Sequence, residues 1–169
     1  DLSTGEMQDN FGGYVALEEQ LMSGAAGDPF SLSGSVRAGF ANGDVNAVSS
    51  FLSATLVATG LIPSLPEDQI GLGIMMANAS NTFLETTDLR VERLGRDIEI
   101  PGDVIVKGGS SGLEDHEINL ELTYFANITS GLSIQPDIQY VINPGLDGSL
   151  DNALVFGLRL SVTKGFDLD

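Results

Sequence analysis

Cysteine and tryptophan are absent from the 169 residues, and basic side chains are scarce: seven Lys and Arg stand against 24 Asp and Glu, a formal charge of −17. Without cysteine there are no disulfides and no thiolate metal sites. Without clusters of Lys and Arg the chain cannot neutralise a nucleic-acid backbone, nor hold to an anionic membrane surface through basic residues. The lack of tryptophan removes the strongest marker of an aromatic girdle. A single histidine, His116, is too few for a Ser/His/Asp or two-His metal constellation. No catalytic residue, metal or cofactor is assigned, and an enzyme is not expected. The opening lacks a signal-peptide pattern, as expected of a mature, trimmed or cytosolic chain.

Charge of either sign is thin overall. Charged residues make up 18 % and hydrophobic ones 42 %, and the mean hydropathy is +0.14. The longest uncharged run, Val45 to Pro66, is interrupted by Ser49, Ser50, Ser53, Thr55 and Thr59 and closed by Pro63 and Pro66. Leu52, Ala54, Leu56 and Ala58 alternate with polar residues there, so the run has the period of a strand and not the unbroken apolar length of a spanning helix.

Period-two alternation is the main feature of the chain. Between Ser130 and Phe166, Leu132, Ile134, Ile138, Tyr140 and Ile142 alternate with Ser133, Gln135, Asp137 and Gln139. After a Gly/Asn/Asp-rich break, Leu154, Phe156, Leu158, Leu160, Val162 and Phe166 repeat the pattern against Arg159, Ser161 and Thr163. The same reading predicts strands at Phe11–Met22, Phe30–Phe40, Ser50–Ile62, Ile70–Ala77 and His116–Ile128, seven in all. In the first, Glu19 falls on the apolar side. Gln135-Pro136-Asp137 predicts a bulge or a local bend, since proline removes a ladder donor.

The expected connections alternate in length. Those at Ser23–Pro29, Pro63–Gln69 and Thr129–Gly131 read as short, and those at Ala41–Ser49, Asn78–Asp115 and Asn143–Asn152 as longer. That rhythm suits an outer-membrane barrel, with short periplasmic turns and longer external loops. The Asn78–Asp115 connection holds Arg90, Arg93 and Arg96, expected to pair locally with Glu85, Asp88, Glu92, Asp97 and Glu99, and a small hairpin is expected at Ile98 to Val106. Seven strands do not close such a barrel and leave two unpaired edges that lipid would not tolerate. N-terminal strands, from elsewhere in the protein or from a partner chain, are therefore required. Asp44, Asp147 and Asp151 lie in Asn/Gly-rich loops without the spacing of a calcium-binding loop, so no metal site is assigned.

Two stretches, "SIQPDIQYVINPG" (Ser133 to Gly145) and "NALVFGLRLSV" (Asn152 to Val162), resemble the C-terminal end of the carbohydrate-selective porin family, the OprB type. "EINLELTY" (Glu117 to Tyr124) resembles the strand before them. "GGYVALEEQLM", "GSVRAGFANGDVN" and "GLIPSLPEDQIGLG" resemble earlier segments of that family in the same order. The resemblance implies an all-β fold, an antiparallel transmembrane β-barrel of roughly 16 strands, with residues 1–169 as its C-terminal part and a long external loop near 78–115. It implies a bacterial outer-membrane location, passive diffusion of sugars and other small hydrophilic solutes, and Phe166 as an assembly signal. Lipid, lipopolysaccharide, small sugars and, in a homo-oligomer, further copies of the chain would be its partners, with no nucleic acid among them.

In such a pore the polar strand faces would line the lumen: Glu18, Gln20, Arg37, Glu117, Asn119, Glu121, Gln135, Asp137, Gln139 and Arg159. Carboxylates and amides suit sugar hydroxyls, and a negative lining favours cations. Arg37 and Arg159 are expected to pair with lumen acids. Two other readings remain open from the residues alone: a soluble or surface β-sandwich binding module, and a structural outer-membrane scaffold.

Overall fold

Alternating side chains make each strand two-faced, and a sheet of such strands sorts its residues onto two surfaces only if the register is kept. The computed structural model describes residues 9–85 and 114–163. They form one seven-stranded antiparallel meander: β1 (Gly12–Ser23), β2 (Ser31–Ala41), β3 (Val48–Thr59), β4 (Gln69–Ala79), β5 (His116–Thr129), β6 (Leu132–Ile142) and β7 (Ala153–Val162). The strands run from 10 to 14 residues, enough for a tilted strand to cross a hydrocarbon layer. No described helix is long and apolar enough to cross a membrane.

The register carries one apolar face across all seven strands. Leu17, Val36, Ala54, Ile74, Leu120, Tyr140 and Leu154 stand in a single cross-strand row. The next row is Glu19, Gly34, Leu56, Leu72, Leu122, Ile138 and Phe156. Glu19 is thus on the apolar side, as its place in the alternation predicts, and its partner Gly34 is roofed by Leu21 and Leu56. At one rim the apolar band stops at Ser50, Asn78 and His116, where the Asn78 Nδ2 donates to the Ser50 hydroxyl at 3.0 Å.

This face has no second layer among the described residues. Leu17 is 68 % exposed, Phe156 74 % and Leu158 67 %, and the buried hydrophobic residues among those described are only Ala79, Ala126 and Leu146. A sandwich closes such a face against a second sheet. Here strands pack only beside their sequence neighbours, which removes the sandwich reading for the described residues.

Three expectations need correction. The short-long rhythm of connections holds only in part. Residues 24–30 form a longer connection than 42–47, because pairing extends to Gly12–Ala41 and Val48–Ala79 and takes residues from the second loop. The contrast survives between 60–68 and 80–115 and between 130–131 and 143–152. The third strand ends at Thr59, and Ile62 forms a bridge with Leu65 inside the turn instead. Pro136 makes no bulge. The β5–β6 pairing skips from Thr123–Asp137 to Ala126–Ile134 with the register unchanged, and Pro136 keeps its place opposite Leu158 on β7. The missing N–H is absorbed by a local gap in the ladder. The ladder shifts fall elsewhere, at Gln20/Met22, Val48/Ser50 and Asn127/Thr129.

Both rims are tied down by polar contacts. On the rim bearing residues 24–30, 60–68 and 130–131, the Tyr124 hydroxyl donates to the Asp68 carboxylate, which is buried, and the Asn127 Nδ2 donates to Glu67 at 3.0 Å. These bonds clamp the 60–68 turn to β5. On the other rim, Ser80 caps a helical stretch at residues 81–85 by accepting from the Phe83 N–H at 3.1 Å. The hairpin expected at Ile98 to Val106, Arg90, Arg93 and Arg96, and Phe166 with the tail after it, lie outside the described residues.

Candidate functional site

The surface opposite the apolar band collects all ten side chains singled out from the sequence. Glu18, Ser35, Thr55, Gly73, Glu121, Gln139 and Val155 form one row across the sheet. Beside it run Gln20, Ser33, Val57, Gly71, Thr123, Asp137 and Gly157. On the far side of the first row lie Ala16, Arg37, Ser53, Met75, Asn119, Val141 and Ala153. Gln135 faces Arg159 one row below Asp137, and Glu117 sits at the rim opposite Ala77.

These side chains bond to one another across strands. Asn119 Nδ2 donates to Gln139 Oε1 at 3.2 Å, and Gln139 Nε2 donates to Asp137 Oδ1 at 3.0 Å. Gln135 Nε2 donates to Thr123 Oγ1 at 3.1 Å, and that hydroxyl donates to the Pro136 carbonyl at 3.3 Å. The Ser35 and Thr55 hydroxyls share a 2.7 Å bond. The chain from Asn119 to Asp137 fixes which way each amide points. It leaves Asn119 Oδ1 buried without a partner, an acceptor still open to a donor.

Three side chains depart from the expectation. Glu117 is held in the loop: its Oε2 accepts from the Gly145 N–H at 2.6 Å. The same loop docks through Asn143 Nδ2 to the His116 carbonyl at 3.2 Å and through the Glu114 N–H to the Leu146 carbonyl at 2.8 Å. Asn143 and Leu146 reach left-handed φ values of 54° and 62° to make the turn, so Glu117 positions the loop. Arg37 and Arg159 form no ion pair with an acid among the described residues. Arg37 stands directly between Ala16 and Ser53, and Arg159 directly across from Gln135.

Alternation alone did not mark the glycines of this surface. Gly71 and Gly73 leave β4 nearly flat there, while Gly157 lies beneath the Asp137 side chain and Gly39 beneath the Phe51 ring. The signal was present, since Gly71-Leu72-Gly73 puts two glycines on one strand face. Between β3 and β5 they open a depression of about 180 Å³ lined by Thr55, Val57, Gly71, Gly73, Glu121 and Thr123.

No three of the described His, Asp and Glu residues come together as a metal site. Asp147 instead shapes its own loop: the Ser149 N–H and hydroxyl donate to its Oδ1 at 2.9 and 2.6 Å, which holds the carboxyl below the usual carboxylate range. Chemically, the face is a wet wall of carboxylates, amides, hydroxyls and two guanidinium groups, able to exchange hydrogen bonds with a passing solute.

Comparison with known proteins places this arrangement. Residues 3–163 match the family described as carbohydrate-selective porin, OprB family. Porin B of Pseudomonas aeruginosa is 30 % identical over 115 residues, which cover 68 % of this chain and 24 % of that protein. The high-pH structure of Pseudomonas putida OprB superimposes with a TM-score of 0.75 at 26 % identity, over 88 % of this chain and 34 % of that one. The chain therefore spans about a quarter to a third of these relatives, and its open sheet corresponds to part of a porin barrel.

Proposed function

The chain belongs to the carbohydrate-selective porin, OprB family, and we propose from that premise that it forms part of the wall of an outer-membrane channel for passive diffusion of sugars and other small hydrophilic solutes. It works as a channel wall rather than as an enzyme. Residues 1–169 take the place of C-terminal strands in a barrel of roughly 16, and strands beyond this sheet satisfy the free edges of β1 and β7. The observation that carries the reading is the sorting of side chains. One face presents Leu17, Leu72, Leu122, Phe156 and Leu158 to hydrocarbon, and the other presents Glu18, Gln20, Arg37, Asn119, Glu121, Gln135, Asp137, Gln139 and Arg159 to water.

On this placement the rim bearing 42–47, 80–115 and 143–152 is external and meets lipopolysaccharide, and a homo-oligomer would pack through the apolar face. The described charged groups of the polar face are four carboxylates, Glu18, Glu117, Glu121 and Asp137, against Arg37 and Arg159. That balance favours cations modestly over anions. Liposomes containing the purified channel test the reading. Sugar-driven swelling and a requirement for detergent in purification are expected. A chain that stays monodisperse in plain buffer with Leu154, Phe156, Leu158 and Leu160 sealed from solvent would overturn it.

A further inference from the structure

The depression in the polar face has a feature the fold does not require. Gly73, in its floor, has an ordinary extended backbone, since it is not among the residues at positive φ. A Cβ built on it would meet only the Thr55 Cγ2 at 3.8 Å and the Glu121 Cβ at 3.9 Å, both ordinary contacts. A glycine inside a strand costs stability relative to alanine, and here neither a close approach nor a turn explains it. Gly71 differs: a Cβ there would stand 2.8 Å from the Thr123 Cγ2. What Gly73 supplies is open space on the watered side of the wall.

The walls of that space are amphipathic. Val57 and the methyls of Thr55 and Thr123 flank it with carbon. Glu121 closes one side and forms no hydrogen bond or ion pair among the described residues, while Gln139 stands directly across from it on β6. The Thr55 and Thr123 hydroxyls are already engaged with Ser35 and Gln135. A guest therefore meets a flat apolar floor and one free carboxylate edge. At about 180 Å³ the space falls below the roughly 300 Å³ where pockets for drug-sized ligands begin, and it suits one ring rather than a chain of them. A pyranose has the matching anatomy, with an apolar C–H face and a rim of hydroxyl donors.

We propose that the Gly71–Gly73 notch is a resting site for a single monosaccharide ring, seated C–H face down on the two glycines and Val57 with its hydroxyl rim donating to Glu121. The proposal rests on the channel reading and adds a located, weak station to it; a station in a conducting pore must release its solute as readily as it takes it up.

The test is ion current through the native channel in a planar bilayer, with D-glucose titrated against it. Wild type is expected to show saturable reduction of the current by glucose. Gly73→Ala fills part of the notch with a Cβ in ordinary contact, and Gly73→Val fills more of it; Glu121→Gln keeps the shape and removes the charge. Gly73→Val should weaken the glucose effect about tenfold, and Gly73→Ala less. Unchanged glucose sensitivity in a conducting Gly73→Val channel, or no saturable glucose effect in a conducting wild type, overturns the notch and leaves the channel reading intact. Absence of any conductance in wild type overturns both.

Discussion

Asp137 on β6 stands directly across from Gly157 on β7, and its carboxylate lies over the place where a side chain at 157 would be. A Cβ there would come within 2.7 Å of the Asp137 Cγ. Gly157→Ala should therefore swing Asp137 away and break the 3.0 Å bond from Gln139. Because the obstacle is a movable side chain, the cost should sit near the low end of overpacking, about 1 kcal/mol. The carboxylate that moves lies on the polar face, so the cation-to-anion permeability ratio, read from reversal potentials in a salt gradient, is expected to change while assembly is retained.

Tyr124 carries the next prediction. Its hydroxyl bonds the carboxylate of Asp68, a residue only 8 % exposed. Tyr124→Phe keeps the ring and removes the donor to the acid, which should destabilise the sheet. Melting of the β-sheet circular-dichroism signal in detergent should shift to lower temperature. An unchanged melting curve would mean that the clamp between the 60–68 turn and β5 contributes nothing.

Adjacent residues on β5 offer a contrast that isolates the two faces. Leu122 lies in the apolar row between Leu72 and Ile138, and Glu121 lies in the polar row between Gly73 and Gln139. Leu122→Arg should destabilise the inserted state by about 2–4 kcal/mol if it sits near the bilayer midplane. Glu121→Arg, one residue away, should fold and shift selectivity toward anions. Equal losses of assembly for the two variants, measured by folding into liposomes from urea, would contradict the assignment of faces.

Acid should loosen the loop around Asp147. Hydrogen bonds from Ser149 lower this carboxyl below its ordinary 3.8, so the folded loop prefers the ionised form. The stabilisation is fully present above the unfolded value and is lost as pH falls through the lower folded one. Hydrogen exchange at the Ser149 amide, measured as protection against the intrinsic rate at each pH, should be constant from neutral pH down to about 4 and fall below it. Asp147→Asn should weaken the protection at neutral pH and flatten that profile.

How much of this was legible in the chain follows from what each residue's partner is. Alternation separates Glu121 from Leu122 with no knowledge of any neighbour, because the strand period is a property of the backbone itself. It likewise placed Glu19 on the apolar side. Pro136 was misread as a bulge, because whether a missing donor distorts a ladder depends on which neighbour that donor would have faced. Glu117 looked like any other polar lining residue until the loop at 143–146 came back to claim it. Arg37 and Arg159 were matched with acids on charge alone, and the register put neutral residues opposite them.

The one-dimensional pattern by itself determined the strand class, the division into a greasy and a wet surface, and the members of each, since these depend only on parity along the chain. It also left no cysteine for thiolate chemistry. Tertiary structure alone decided which residues share a row, that the Gly73 site is open while Gly157 is covered, and that Glu117 serves the loop. Those are distances between strands far apart in sequence, set by register and side-chain packing, and no local periodicity encodes them.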